Sequence, residues 1–403
     1  MNFVKRLTTW LIISAILISL TGCNENDTSW IAEVNEKKIP VGIYIKYMMD
    51  AFKKIKIDEM IGQLSNTKEE SEKKAKEELE EDKKRKNESQ KEEDANKEEK
   101  NIHIFEKYKE GKLVTEWIMD EAKQKVLEYI VINDQFQKLN LNILKSNLDN
   151  LEYNLSNQWE NINKQQGYEK RGVSLKSILL LSENLLKREK IFEAYYEEGG
   201  IEAVSQEELK EYLNNNYNKV KYYAFEKQGL EDKEKENKKK LYSELLNRAK
   251  EGEKFDDLIK EFHEKEYPTI EKNTDKVEEN TEKMEPDTKH HEEYDVEKQN
   301  VEIYKKEYGG KFSKEVKEEI ENAEIGVVNG FEGEDQLIVF VKQDPSDSKD
   351  YMEENRDQLL SEMKNEELNE KISKWSKDYK IKYNQEAIDK YTPPKLHLDE
   401  LAF

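Results

Sequence analysis

The sequence predicts a mainly helical α+β protein, and three observations predict it. Apolar residues recur at helical spacing through long stretches at 41–64, 113–139, 141–196 and 350–379. Strand-like alternation is confined to short pieces, of which Asp335–Lys342 is the clearest and Val220–Phe225 the next. Two further runs, 68–100 and 264–308, are too polar to bury enough surface to offset chain entropy, and are read as solvated, disordered inserts. A chain of 403 residues with this pattern should hold two structured domains.

The elements follow in order. Trp30–Pro40 alternates like a short hairpin turning at Asn35-Glu36. Ile45, Met48, Met49, Phe52 and Ile55 then mark one face of a helix. The 68–100 run holds Leu79 as its one large apolar residue; i,i+4 Glu–Lys pairs could lace it into a transient helix. Helical spacing returns from Leu113 to Leu139. It continues through 141–196, with breaks at Gly167-Tyr168 and Gly172. After Gly199-Gly200, Ser205-Gln-Glu-Glu208 opens a helix with a capping box, the Ser205 hydroxyl taking the Glu208 amide and Glu208 reaching back. Val220–Phe225 reads as a strand. Asn237–Lys250 reads as an amphipathic helix broken at Gly252 and resumed through Phe262. Phe312–Ile320 is helical, Gly326–Gly330 a turn and Asp335–Lys342 a strand. One long helix over about 350–379 and an extended piece at Ile381–Tyr383 complete the chain.

Composition excludes several partners. Charged residues make up 39% of the chain against 35% hydrophobic, and the formal net charge is −22. Such a chain is repelled by nucleic acid and by anionic lipid, and no basic patch survives the interspersed carboxylates. The single cysteine, Cys23, allows no intrachain disulfide and no cysteine-based metal site. The five histidines do not fall at ligand spacing: His290-His291 sits in the acidic insert, and His263 ends a helix without a neighbouring Cys or His. No phosphate-cradling loop or nucleophile elbow is present, and no cofactor or metal is expected.

The N-terminus reads as an export signal. Lys5 and Arg6 precede an apolar run from Leu7 to Leu20. As a helix that run reaches about 21 Å, short of the ~30 Å hydrocarbon core, which suits a cleaved signal and not a permanent span. It ends Leu20-Thr21-Gly22-Cys23, which resembles the bacterial lipobox. That resemblance implies a signal peptide over 1–22, diacylglyceryl and palmitate lipidation of Cys23, and a short polar tether over 23–30. Two acyl chains give a stable anchor where one does not. The protein would then work at the outer face of the cytoplasmic membrane, attached through lipid alone.

The order of segments resembles the PrsA and SurA class of extracytoplasmic foldases. Four places carry the likeness. Ile31-Ala-Glu-Val-Asn-Glu-Lys-Lys-Ile39 resembles the class's opening hairpin, with Glu36 where a glycine is usual. Gly167–Val173, the long helix after it and Val204–Leu209 resemble the run into the central domain. Val220–Phe225, 237–262, Ala323–Val328 and Leu337–Val341 resemble the skeleton of a parvulin domain, and Lys380–Ala387 the C-terminal return. The resemblance implies a helical chaperone lobe built jointly from 31–204 and 346–403, with a parvulin-like α+β domain at 205–345 inserted between them. It further implies a protein that binds unfolded or partly folded secreted polypeptides in hydrophobic grooves, and it leaves a homodimer open.

Catalysis is a separate matter. Parvulins isomerise the X–Pro bond, which is slow because its barrier is ~18–20 kcal/mol, and the class uses a histidine on its first and last strands. Those positions fall near Ala224 and Leu337, so the resemblance implies a degenerate pocket with little or no isomerase activity. The glycine-rich segment of the family is also missing. Three alternatives stand beside the chaperone reading: an active parvulin isomerase, a solute-binding lipoprotein, and a structural lipoprotein with one folded partner. The scarcity of glycine, 15 residues in all, argues against the repeated βα turns of a solute-binding protein.

Overall fold

A computed structural model describes residues 28–76, 103–267 and 294–401, except Glu69 and Tyr308. The leader, Cys23, most of the 68–100 insert and His290-His291 lie outside the described residues. The protein is mainly helical, with small antiparallel sheets. The described residues divide into two compact units: those within Glu202–Lys364 form one, and those on either side of it form the other. Residues 346–364, expected with the helical lobe, therefore group with the inserted unit.

The first unit opens with strands β1 (Trp30–Val34) and β2 (Lys37–Pro40), a hairpin in which Asn35 and Glu36 both have positive φ, 48° and 65°. Two left-handed residues make the tight turn whose twist matches the strands, which is why a glycine suits position 36. Helix α1 (Val41–Met60) follows, with Ile43, Tyr44, Ile45, Met48, Met49, Phe52 and Ile55 buried. The charged stretch begins as structure: residues 70–76 are helical, and the buried Ser71 hydroxyl accepts from the Gly111 amide at 2.9 Å. A two-residue hairpin, β3 (Tyr108–Lys109) and β4 (Lys112–Leu113), leads into helix α2 (Val114–Lys138). Helices α3 (Lys145–Gln166) and α4 (Leu175–Tyr196) follow, and Gly167 caps α3 in the left-handed region at φ 60°. Helix α1 packs on α2, α2 on α4, and α3 on α4. Gly42 allows α1 to approach α4 closely: a Cβ there would lie 2.4 Å from Ser177 Oγ.

The second unit is a four-stranded antiparallel sheet with helices on both faces. Helix α5 (Gln206–Asn216) carries the capping box at Ser205 and Glu208. Strand β5 (Tyr217–Glu226) is followed by helices α6 (Asp232–Lys250) and α7 (Phe255–Glu266). Helix α8 (Val296–Asn300) and strand β6 (Val301–Lys305) come next, both inside a stretch expected to be insert. Only five residues long and bearing Glu302 and Lys305, β6 has too little apolar patterning to stand out; pairing along β5 from Tyr217 to Lys221 holds it. Helix α9 (Lys314–Asn322), strand β7 (Val328–Glu332) and strand β8 (Gln336–Gln343) complete the sheet in the order β6-β5-β8-β7. The turn expected over Gly326–Gly330 thus ends at Val327, and Val328 starts a strand.

Side-chain alternation splits the sheet into two cores. Tyr223, Phe225, Leu337 and Val339 face α6 and α7 with Tyr242, Leu245, Leu258 and Phe262. Val220, Tyr222, Ile338 and Phe340 face the opposite way, toward Phe312, Val316 and Ile320.

The single helix expected over 350–379 is two: α10 (Lys349–Glu354) and α11 (Arg356–Ser376), separated at Asn355. Residues from Asn365 onward belong to the first unit. There Tyr195 packs on Trp375, and Arg188 donates to Asn369 at 3.0 Å. Strand β9 (Lys382–Tyr383) pairs with β1, and helix α12 (Gln385–Lys390) and the tail place Ala387, Ile388, Leu396, Leu398 and Leu401 in the same core as α1 and α2.

Candidate functional site

The two positions expected to form a degenerate isomerase pocket do not share one. Ala224 pairs with Ile338 and Leu337 with Phe225, so the side chains of Ala224 and Leu337 emerge on opposite faces of the sheet. Ala224 is partly covered in the layer with Phe312, whereas Leu337 is fully buried in the layer with α6 and α7. The face that carries Ala224 is filled by its own side chains: Tyr222 meets Phe312 edge-on at 5.0 Å, and Tyr304 meets Phe312 at 5.9 Å. The described histidine of this unit, His263, stacks on Tyr294 at 3.7 Å, away from that face, beside the core that holds Phe262. The sequence shows no histidine at these strand positions; that the two positions face apart follows only from the strand register.

Polar groups converge elsewhere in the unit. An open pocket of about 430 Å³ is lined by Lys221, the first turn of α7, Val341 and Gln343. The Lys221 ammonium contacts Asp256 at 2.8 Å and also Glu297. Burial works against its charge, but the two carboxylates outweigh that and hold Lys221 above the usual lysine range. A cation already matched by two anions has little left for a substrate, and this arrangement is a structural ion pair.

The helical unit presents a different surface. Ile57, Met60 and Ile61, at i, i+3 and i+4, are 53%, 76% and 61% exposed at the C-terminal end of α1, a helix whose apolar residues from Val41 to Ile55 mostly face the core. Lys53, one turn earlier on the same face, donates to Gln166 at the end of α3 at 2.9 Å. Helix α3 carries an apolar stripe of its own, Leu148, Leu151, Leu155, Trp159 and Ile162; the last three pack against the core of the unit, yet none of its 22 residues is fully buried. Leu144, just before it, is 64% exposed. A large apolar side chain left in water contributes its transfer free energy only when something covers it, about 1.5–3 kcal/mol each. The period of the stripe is legible in the sequence, but periodicity does not tell a covered stripe from a half-covered one.

Among the described residues no group of three or more His, Cys, Asp or Glu could hold a metal ion, and no helix is long and apolar enough to cross a membrane. No protein-family model matches the chain, and no curated protein does. Among solved structures the chain is similar to the crystal structure of PrsA from Bacillus subtilis, with 18% identity over 68% of this chain and 90% of that one, at a TM-score of 0.24. A likeness at that score carries no functional argument.

Proposed function

We propose that this protein is a lipid-anchored extracytoplasmic chaperone of the foldase type, which holds non-native exported chains on its helical unit. One observation carries the reading: Ile57, Met60 and Ile61 stand exposed together at the end of α1, in a unit whose helix α3 also leaves its apolar stripe without a fully buried residue. Such a surface binds exposed apolar segments by burial, without demanding a sequence, and so shields them from aggregation. The lipid on Cys23 would supply the location, and the charged surface would keep the loaded complex soluble. Light scattering of a reduced, denatured reporter protein is the test. Equimolar protein is expected to suppress aggregation, and an Ile57→Ser, Met60→Ser, Ile61→Ser variant to lose most of that effect while melting unchanged. Equal suppression by the variant, or none by the wild type, overturns the reading.

The α+β unit is proposed to act without prolyl isomerase chemistry. Its filled aromatic face and the opposed placement of Ala224 and Leu337 support this. Clear catalysis of a proline tetrapeptide would favour the active-isomerase alternative instead.

A further inference from the structure

We infer that the outer edge of β7 in the α+β unit is a strand-addition site for an extended, basic polypeptide segment. The register decides which backbone groups face outward. Lys227 N donates to Asp335 O at 2.7 Å on the β5 side of β8, and Gly333 N donates to Gln336 O at 2.9 Å on the β7 side. In an antiparallel ladder the hydrogen-bonding direction alternates by residue, so Asn329 and Phe331 bond inward to β8 while Val328, Gly330 and Glu332 turn their N–H and C=O groups outward. Among the described residues nothing pairs with that edge, since β7 ends the sheet order.

Natural edges are usually blunted by lysine, proline or a bulge. This one has none: β7 reads Val-Asn-Gly-Phe-Glu and pairs with β8 in unbroken register. The turn that leads into it exposes Ile325 by 58% and Val327 by 45%. The charge around it selects the occupant. Glu324, Glu332, Glu334 and Asp335 are all exposed at its two ends, and no Lys or Arg occurs between Lys317 and Lys342. Two copies of this edge would repel each other, whereas a segment alternating basic and apolar residues would meet carboxylates at both ends, apolar side chains at the lead-in turn and unpaired backbone between.

The proposal rests on the chaperone reading only for the source of the segment, an unfolded exported chain. Its test uses the full-length protein and a labelled peptide of alternating Val and Lys, followed by fluorescence anisotropy. Three changes should each weaken binding by roughly tenfold or more, the scale of losing the bonds along one edge: N-methylation of every second peptide residue, Glu332→Pro, and replacement of the peptide lysines by glutamate. Glu332 is exposed and its N–H faces outward, so the proline leaves the inner ladder intact; an unchanged circular-dichroism melt verifies this. Equal binding of the N-methylated peptide, or of the Val/Glu peptide, overturns the site. Wild-type protein that suppresses aggregation yet binds no Val/Lys peptide sinks the edge and spares the chaperone reading, and the reverse pattern does the opposite.

Discussion

Arg171 ties the C-terminal tail to the middle of the helical unit, and its removal is the sharpest test of how that unit closes. The side chain is 6% exposed and donates to Leu396 O at 3.1 Å, His397 O at 3.0 Å and Gly167 O at 3.2 Å. The His397 carbonyl keeps a second donor, the Glu400 amide at 3.2 Å, so Leu396 O is the group most fully stranded when Arg171 is cut back. A stranded buried carbonyl costs about 1–3 kcal/mol, and the charge-assisted bonds lost with it raise the total for Arg171→Ala to about 2–4 kcal/mol. Lysine restores the charge but not the fork, so Arg171→Lys should lose about 1–2 kcal/mol. Urea unfolding followed by tryptophan fluorescence isolates the effect, because Trp30, Trp117, Trp159 and Trp375 all lie in the helical unit and Glu202–Lys364 contains no tryptophan. A loss below about 0.5 kcal/mol for Arg171→Ala, the scale of an ordinary surface change, would refute the reasoning.

Three more outcomes follow from single residues. Glu36 holds φ at 65°, a region that costs a side-chain-bearing residue about 1–2 kcal/mol, so Glu36→Gly should raise the thermal midpoint; a lower one contradicts the turn. Leu337 is fully buried between the sheet and α6, so Leu337→Ala should cost about 2–5 kcal/mol, measured by chemical denaturation with tyrosine absorbance, and a neutral result would place it outside a core. Hydrogen bonds from Arg248 and Lys265 pull the Glu261 carboxyl down to about 2, so its contribution is present above the ordinary carboxyl range and disappears as pH falls toward 2. Wild type should therefore lose more stability than Glu261→Gln between pH 5 and 2, by less than about 1 kcal/mol because the pair is exposed; parallel pH profiles would deny the linkage.

Much of the secondary structure was legible because it depends on local chemistry. Ser205 with Glu208 marks a helix start, Gly167 marks a helix end, and the apolar period of 114–138 defines a helix wherever it packs. The misreadings share a cause. Strand β6, strand β7 and the break at Asn355 depend on partners distant in sequence: β6 is held by β5, β7 by β8, and neither has a strong pattern of its own. The candidate site was less legible than the fold. That Ala224 and Leu337 face apart requires the register of β5 on β8, and whether Ile57, Met60 and Ile61 are core or surface requires knowing what ends beside α1. Hydrophobic spacing specifies that a face exists, and packing alone specifies whether anything covers it.

The most direct measurement places a photo-activated cross-linker at Met60 in the full-length protein in living cells and identifies what it captures. A surface that holds non-native chains should yield many exported polypeptides, captured while unfolded and released once folded. Capture of one folded partner in fixed proportion, or of nothing at all, would contradict it.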